Sequence, residues 1–175
     1  MDFNCPNKCN CWAEFDMDRW EGTSYQACYF RKCGSLNNEN IKWVDGHKLG
    51  LGCLGFGTSF LSPSSTEILC TSKGAHLVEI FTRNELNFIR QEAKNIGNHV
   101  AWDYWIGLRK EASVWTWSHS RKAFDWSLWG PDQPNDGSDA FPLAALLQDS
   151  DYYIYDVGHN WDHTYTKFAL CQIKL

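Results

Sequence analysis

Eleven residues late in the chain, Trp129-Gly-Pro-Asp-Gln-Pro-Asn-Asp-Gly-Ser-Asp139, carry six side chains that end in a carboxylate, a carboxamide or a hydroxyl. Two prolines stiffen the backbone between them. Oxygen donors gathered this way suit a hard cation such as calcium, which takes six to eight oxygens in irregular geometry. They equally suit a surface loop whose Asp and Asn side chains cap its own turns. Two other clusters could hold zinc, which needs three or four convergent ligands. His159-Asn-Trp-Asp-His163 offers two imidazoles and a carboxylate, but nothing marks it as helical. Cys5-x3-Cys9-x-Cys11 offers thiols, and in a chain with eight cysteines disulfides are the commoner outcome. His76, His99 and His119 stand isolated. For catalysis there is no nucleophile elbow, no phosphate loop and no pair of acids framed as acid and base, so an enzyme has no support.

The chain that must position these groups has 175 residues, enough for one domain with a sizeable core plus an extension. Aromatic residues make up 15% and charged residues 21%, a globular rather than disordered composition. A net charge of −5 leaves no basic stripe to neutralise phosphates, which argues against nucleic-acid binding. The longest apolar run, Phe141-Pro-Leu-Ala-Ala-Leu-Leu147, falls far short of the ~18 residues that span a bilayer. The cysteines stand at Cys5, Cys9, Cys11, Cys28, Cys33, Cys53, Cys70 and Cys171. Their even number points to disulfides and a secreted, extracellular protein. Met1-Asp-Phe-Asn-Cys5 has neither the basic start nor the apolar stretch of a leader, so secretion implies a leader already removed.

Residues 1–40 are rich in Cys and Asn, show little periodicity, and read as a disulfide-stapled extension to a domain at 41–175. Lys42–Phe56 alternates loosely among glycines, as a hairpin does. Ser64-Ser-Thr-Glu67 has the spacing of a capping box, which predicts a helix through Ile68, Leu69 and Cys70. Thr82-Arg-Asn-Glu85 repeats it ahead of Leu86, Ile89, Ala93 and Ile96, with Gly97 as the C-cap. Ala75–Ile80 reads as a short extended segment between the two helices. Aromatic strands are expected at Trp105–Leu108, Val114–Trp117, Leu143–Leu147 and Phe168–Ile173. A long polar stretch from Ser118 to Asp139 lies between them, and loops of that length are usually functional or disordered. The fold class is therefore α+β.

Six landmarks in this order resemble the C-type lectin-like domain. They are Cys70-Thr-Ser-Lys-Gly-Ala-His-Leu-Val-Glu-Ile80, Glu85 with Phe88-Ile89, Trp105-Ile-Gly-Leu108, Gln133-Pro-Asn135, Trp161-Asp-His163 and Ala169-Leu-Cys-Gln172. The match runs from about residue 42 to 175, and Trp43–Leu54 further resembles secreted invertebrate members. The resemblance implies two helices flanking two small antiparallel sheets, a long loop region, and a disulfide from Cys70 to Cys171. Two departures stand out. The family's second disulfide, which brackets the binding loops, has no cysteine in Phe141–Leu147 or in Asp162–Phe168. Cys53 also lacks its usual partner about ten residues upstream, which leaves five candidates in the extension.

The resemblance further implies a calcium-centred sugar site. Gln133 and Asn135 would each give a carboxamide oxygen, aimed the same way by a cis Pro134. Asp139 would supply an acid, and Asp162 would take the place of an asparagine. Asp136 and Trp129 are accessory candidates, with Trp126 and Trp161 as further rings that could stack on a sugar face. His163 falls where an aspartate is usual, and an imidazole nitrogen suits a hard cation poorly. Gln at the first position of the Gln-Pro-Asn triplet leans towards galactose-type rather than mannose-type sugars. The expected function is calcium-assisted binding of glycans or glycoproteins, with the extension serving a homo-oligomer. The alternative is a calcium-independent module that binds a protein, the extracellular matrix or a mineral surface.

Overall fold

The computed structural model describes residues 33–37, 40–96, 102–135, 143–157 and 166–174. The glycine-rich hairpin forms as expected. Strand β1 (Ile41–Asp45) pairs antiparallel with β2 (Cys53–Gly57). Its turn closes through the Gly46 N–H to the Gly52 carbonyl at 2.8 Å. Gly52 sits at φ +67°, and a Cβ there would lie 2.2 Å from the Ile173 carbonyl oxygen. Only glycine fits both demands.

Helix α1 (Pro63–Ser72) begins one residue before the predicted capping box at Ser64–Glu67. Its cap is Ser62, whose hydroxyl accepts the Ser65 N–H, and Pro63 occupies the first turn, where no N–H is needed. Strand β3 (His76–Leu77) is short, but the segment after it stays extended, with the Val78 N–H on the Leu170 carbonyl at 2.9 Å. Helix α2 (Arg83–Ile96) follows the predicted cap. Thr82 Oγ1 accepts the Glu85 N–H at 3.1 Å, and the Glu85 carboxylate accepts the Phe81 N–H at 2.9 Å. Leu86, Ile89 and Ala93 are fully buried, so the three-and-four spacing is the face that meets the core. Gly97, the predicted C-cap, lies outside the described residues.

The remaining strands are β4 (Tyr104–Glu111), β5 (Val114–Trp117), β6 (Leu143–Leu147), β7 (Tyr153–Val157) and β8 (Phe168–Ile173). The strand order is β1-β2-β8-β4-β6-β7, with β3 on β8 and β5 on β4. The antiparallel sets predicted as two sheets are thus joined through β8, which runs parallel to β4. Strand β7 was not predicted, although Tyr153-Ile-Tyr-Asp-Val157 alternates half-buried and buried side chains. Phe56 and Tyr104 meet edge to face at the centre of the core, 5.4 Å between rings.

Among the described residues, two disulfides tie the chain to this sheet. Cys70 of α1 pairs with Cys171 of β8 across a separation of 101 residues, as the resemblance implied. Closing so long a loop stabilises the fold by about 4–5 kcal/mol on the chain-entropy model. Cys53 pairs with Cys33, which selects one of the five candidates and joins the end of the extension to β2.

Candidate functional site

The predicted polar stretch is not a loose loop. Phe124, Leu128 and Trp129 are buried within it, and Trp129 packs edge-on against Trp115 and Phe124, each 4.9 Å away. A short 3-10 turn at Trp126–Leu128 is capped by the Asp125 carboxylate on the Ser127 N–H. Those buried rings fix the base from which the Gln133 loop rises. The Gly130 N–H then donates to the Ile154 carbonyl of β7 at 2.9 Å. A Cβ at Gly130 would lie 2.8 Å from the Tyr155 ring, so the loop reaches β7 only with glycine there.

Past this anchor the chain turns through Asp132, and the Gln133–Pro134 bond is cis. The Gln133 N–H returns to the Gly130 carbonyl at 3.1 Å, and its carboxamide nitrogen donates to the Asp132 carbonyl at 3.2 Å. The carboxamide oxygen of Gln133 is buried and has no hydrogen-bond partner among the described residues. Two residues on, the Asn135 N–H donates to a carboxylate oxygen of Asp156 at 3.2 Å. Asp156 is 9% exposed and lies on β7, whose register against β6 sets Asp156 opposite Ala144.

The contact between Asn135 and Asp156 puts a carboxylate beside the loop that carries the Gln133 and Asn135 carboxamides, oxygen donors of the kind calcium takes. An orphaned buried acceptor is unfavourable until something satisfies it, and a cation would do so. Asp156 was not among the predicted site residues. Its signal was the alternation of Tyr153–Val157 beside a turn, and no local spacing ties that strand to Gln133. Asp136, Asp139, Asp162 and His163 lie outside the described residues, as does Trp161. Of the rings considered for stacking on a sugar, Trp129 is 7% exposed and Trp126 is 59% exposed, with their centroids 6.3 Å apart. Of these two rings, Trp126 is the exposed one.

Helix α2 braces the β6–β7 turn, at the start of the strand that holds Asp156. Asp151 receives Arg90 at 2.5 Å and Lys94 at 2.6 Å, and the Arg90 guanidinium lies 3.6 Å over the Tyr153 ring. Lys94 foremost, with Arg90, holds the Asp151 carboxyl below its ordinary range. Among the described residues no helix is long and apolar enough to cross a membrane.

Residues 62–166 match the family model of the lectin C-type domain. The chain is 32% identical over 97 residues to human C-type lectin domain family 10 member A, which covers 55% of this chain and 28% of that protein. It thus spans little more than a quarter of that curated relative. Perlucin from Haliotis laevigata is 27% identical over 113 residues, 63% of this chain and 70% of perlucin. Among solved structures, the complex of SPL-1 with GlcNAc superposes with a TM-score of 0.59 at 22% identity, covering 78% of this chain and 94% of that one.

Proposed function

Because the chain belongs to the C-type lectin domain family, whose members bind carbohydrate without catalysis, we propose that it is a secreted glycan-binding module with its sugar site at Gln133-Pro134-Asn135. The observation that carries this reading is the buried carboxamide oxygen of Gln133, unpartnered among the described residues, in a loop held to the Asp156 carboxylate. Gln133, Asn135 and Asp156 would hold calcium, with Asp139 and Asp162 as further acids and Asp136 and His163 as accessory groups. Calcium held by these residues would supply a positive charge that sugar hydroxyls could ligate. Trp126 would stack on the apolar face of the sugar. Gln133 favours galactose-type over mannose-type ligands.

Two disulfides fit an oxidising, extracellular setting. Residues 1–40 act as a Cys-rich extension to the domain at 41–175 and serve to gather copies. Single sugar contacts are few and compete with water, so several linked sites are needed for avidity on glycoproteins. Retention on immobilised galactose and mannose, with calcium and with EDTA, tests the reading. Galactose retention that EDTA abolishes is expected, and retention indifferent to EDTA overturns the ion-assisted site.

A second reading rests on a specific feature: neither Phe141–Leu147 nor Asp162–Phe168 contains a cysteine to brace the loops, and His163 is a poor calcium donor. In that reading the same surface binds a protein, the extracellular matrix or a mineral without calcium. A melting temperature unmoved by millimolar calcium would select it.

A further inference from the structure

A cavity of about 370 Å³ opens between β3, the end of β8 and the turn at 118–122, with β4 and β6 separating it from β7 and the Gln133 loop. That volume falls within the range of small-molecule sites, roughly 300–1,000 Å³. His76, Glu79, His119, Ser120, Lys122 and Lys174 are among the groups that line it. The sequence showed His76 and His119 as isolated, yet their rings stack face to face, with centroids 3.9 Å apart and planes 7° from parallel. His76 Nδ1 lies 2.7 Å from the Leu77 carbonyl, which can only accept, so Nδ1 carries a proton and Nε2 is the nitrogen left to titrate.

Glu79, 3% exposed, is the acid in this hollow, and its oxygens accept the His119 N–H at 2.9 Å and the Ser120 N–H at 3.1 Å. It therefore holds the turn in place rather than offering a free oxygen to a ligand. The Lys122 ammonium lies 5.1 Å over the Phe81 ring at the cavity, and Lys174 lines it from the end of β8. Two lysines and two histidines against one engaged carboxylate make a locally basic hollow in a chain of net charge −5. Parallel stacked rings do not aim their lone pairs at one point. Among the described residues no three His, Cys, Asp or Glu side chains gather as metal ligands, so the pair is not a metal centre.

We propose that this hollow is a second ligand site, for a small anion: a carboxylate or sulfate group on a molecule up to the size of a sugar. Its binding is coupled to protonation of the stacked imidazoles. Two imidazolium ions in contact repel, and an anion beside them removes that obstacle. Burial holds the His76 imidazole below its ordinary value against the raising bond to Leu77. His119 and Lys174 push the same way as burial, and Glu79 opposes them. An anion raises the imidazole pKa in the complex above that of the free protein. Binding then takes up a proton, and affinity rises as pH falls through the interval between the two values.

Calorimetric titration of the full chain tests this site independently of the calcium loop. The probes are inorganic sulfate, glucose 6-sulfate and glucose, at about pH 7.5 and 5.5, in two buffers of different ionisation enthalpy. Both sulfate-bearing probes should bind at least about tenfold more tightly at the lower pH, since one linked proton gives up to about tenfold per pH unit, with net proton uptake. Glucose should not bind there. Tighter binding of glucose 6-sulfate marks a sulfated glycan as the ligand, and equal binding marks the free anion. His119→Gln should hold affinity near its neutral-pH value and Lys174→Gln should weaken binding at both pH values, both positions being exposed, while Asn135→Ala leaves affinity at this hollow unchanged. Absence of sulfate binding at either pH, binding indifferent to pH, or unaltered binding in His119→Gln overturns the proposal.

Discussion

Replacing Asp156 by Asn separates a cation-holding acid from a merely structural one. The Asn side chain keeps an oxygen able to accept the Asn135 N–H, so stability without calcium should change by no more than about 1 kcal/mol. Few donors converge at the described part of the site, which sets the native affinity at the weak, extracellular end, about 0.1–1 mM. A ligand that binds only the native state stabilises it by RT ln(1 + [L]/Kd), which for about 5 mM calcium is about 1–2.3 kcal/mol. At about 3 °C per kcal/mol, that raises the melting temperature by roughly 3–7 °C. Loss of one carboxylate should weaken binding about tenfold and leave a gain of about 0.2–1 kcal/mol. Asp151→Asn is the control, because that acid sits on the same hairpin but is engaged by Arg90 and Lys94. Melts followed by calorimetry or far-UV circular dichroism, with calcium and with EDTA, give all three comparisons. No calcium shift in the native chain, or an equal shift in Asp156→Asn, refutes the reasoning.

Leu86→Ala empties a fully buried position on α2 and should destabilise the fold by about 2–5 kcal/mol in denaturant titrations. Ser62→Ala should lower stability by about 1 kcal/mol, whereas Ser64→Ala, two residues past the cap, should lower it by much less in the same titration. Joint replacement of Cys33 and Cys53 by Ser, a pair 20 residues apart, should lower stability by about 3 kcal/mol, seen as an earlier thermal transition. The folded His76 pKa lies below its ordinary 6.5 because of burial. Its contribution is therefore present above that value and lost as pH falls through 6.5 towards the folded pKa. The melting temperature should drop between about pH 7.5 and 5.5, and drop less in His76→Gln.

Features that depend on near neighbours were legible before any coordinates. The spacing of Leu86, Ile89 and Ala93 is one turn of helix, and Thr82 with Glu85 closes a cap within four residues. The Gly46–Gly52 turn and the alternation of Val114–Trp117 are equally local. The cap of α1 was misplaced because Ser62, Ser64 and Ser65 all present hydroxyls, and only the path of the preceding chain shows which one meets a free N–H. Resemblance supplied the Cys70–Cys171 pair and the Gln133 loop, since neither spacing nor periodicity links residues so far apart.

Residue types and short-range patterns determined the helices, most strands, the α+β class and the loop rich in oxygen donors. Tertiary structure alone decided that Cys53 takes Cys33, that Asp156 closes on Asn135, that Trp126 rather than Trp129 is open, and that His76 stacks on His119. Local propensity acts over a few bonds along the chain. Partners tens of residues apart are chosen by sheet register and by which rings fill the core, and those exist only once the whole chain is packed.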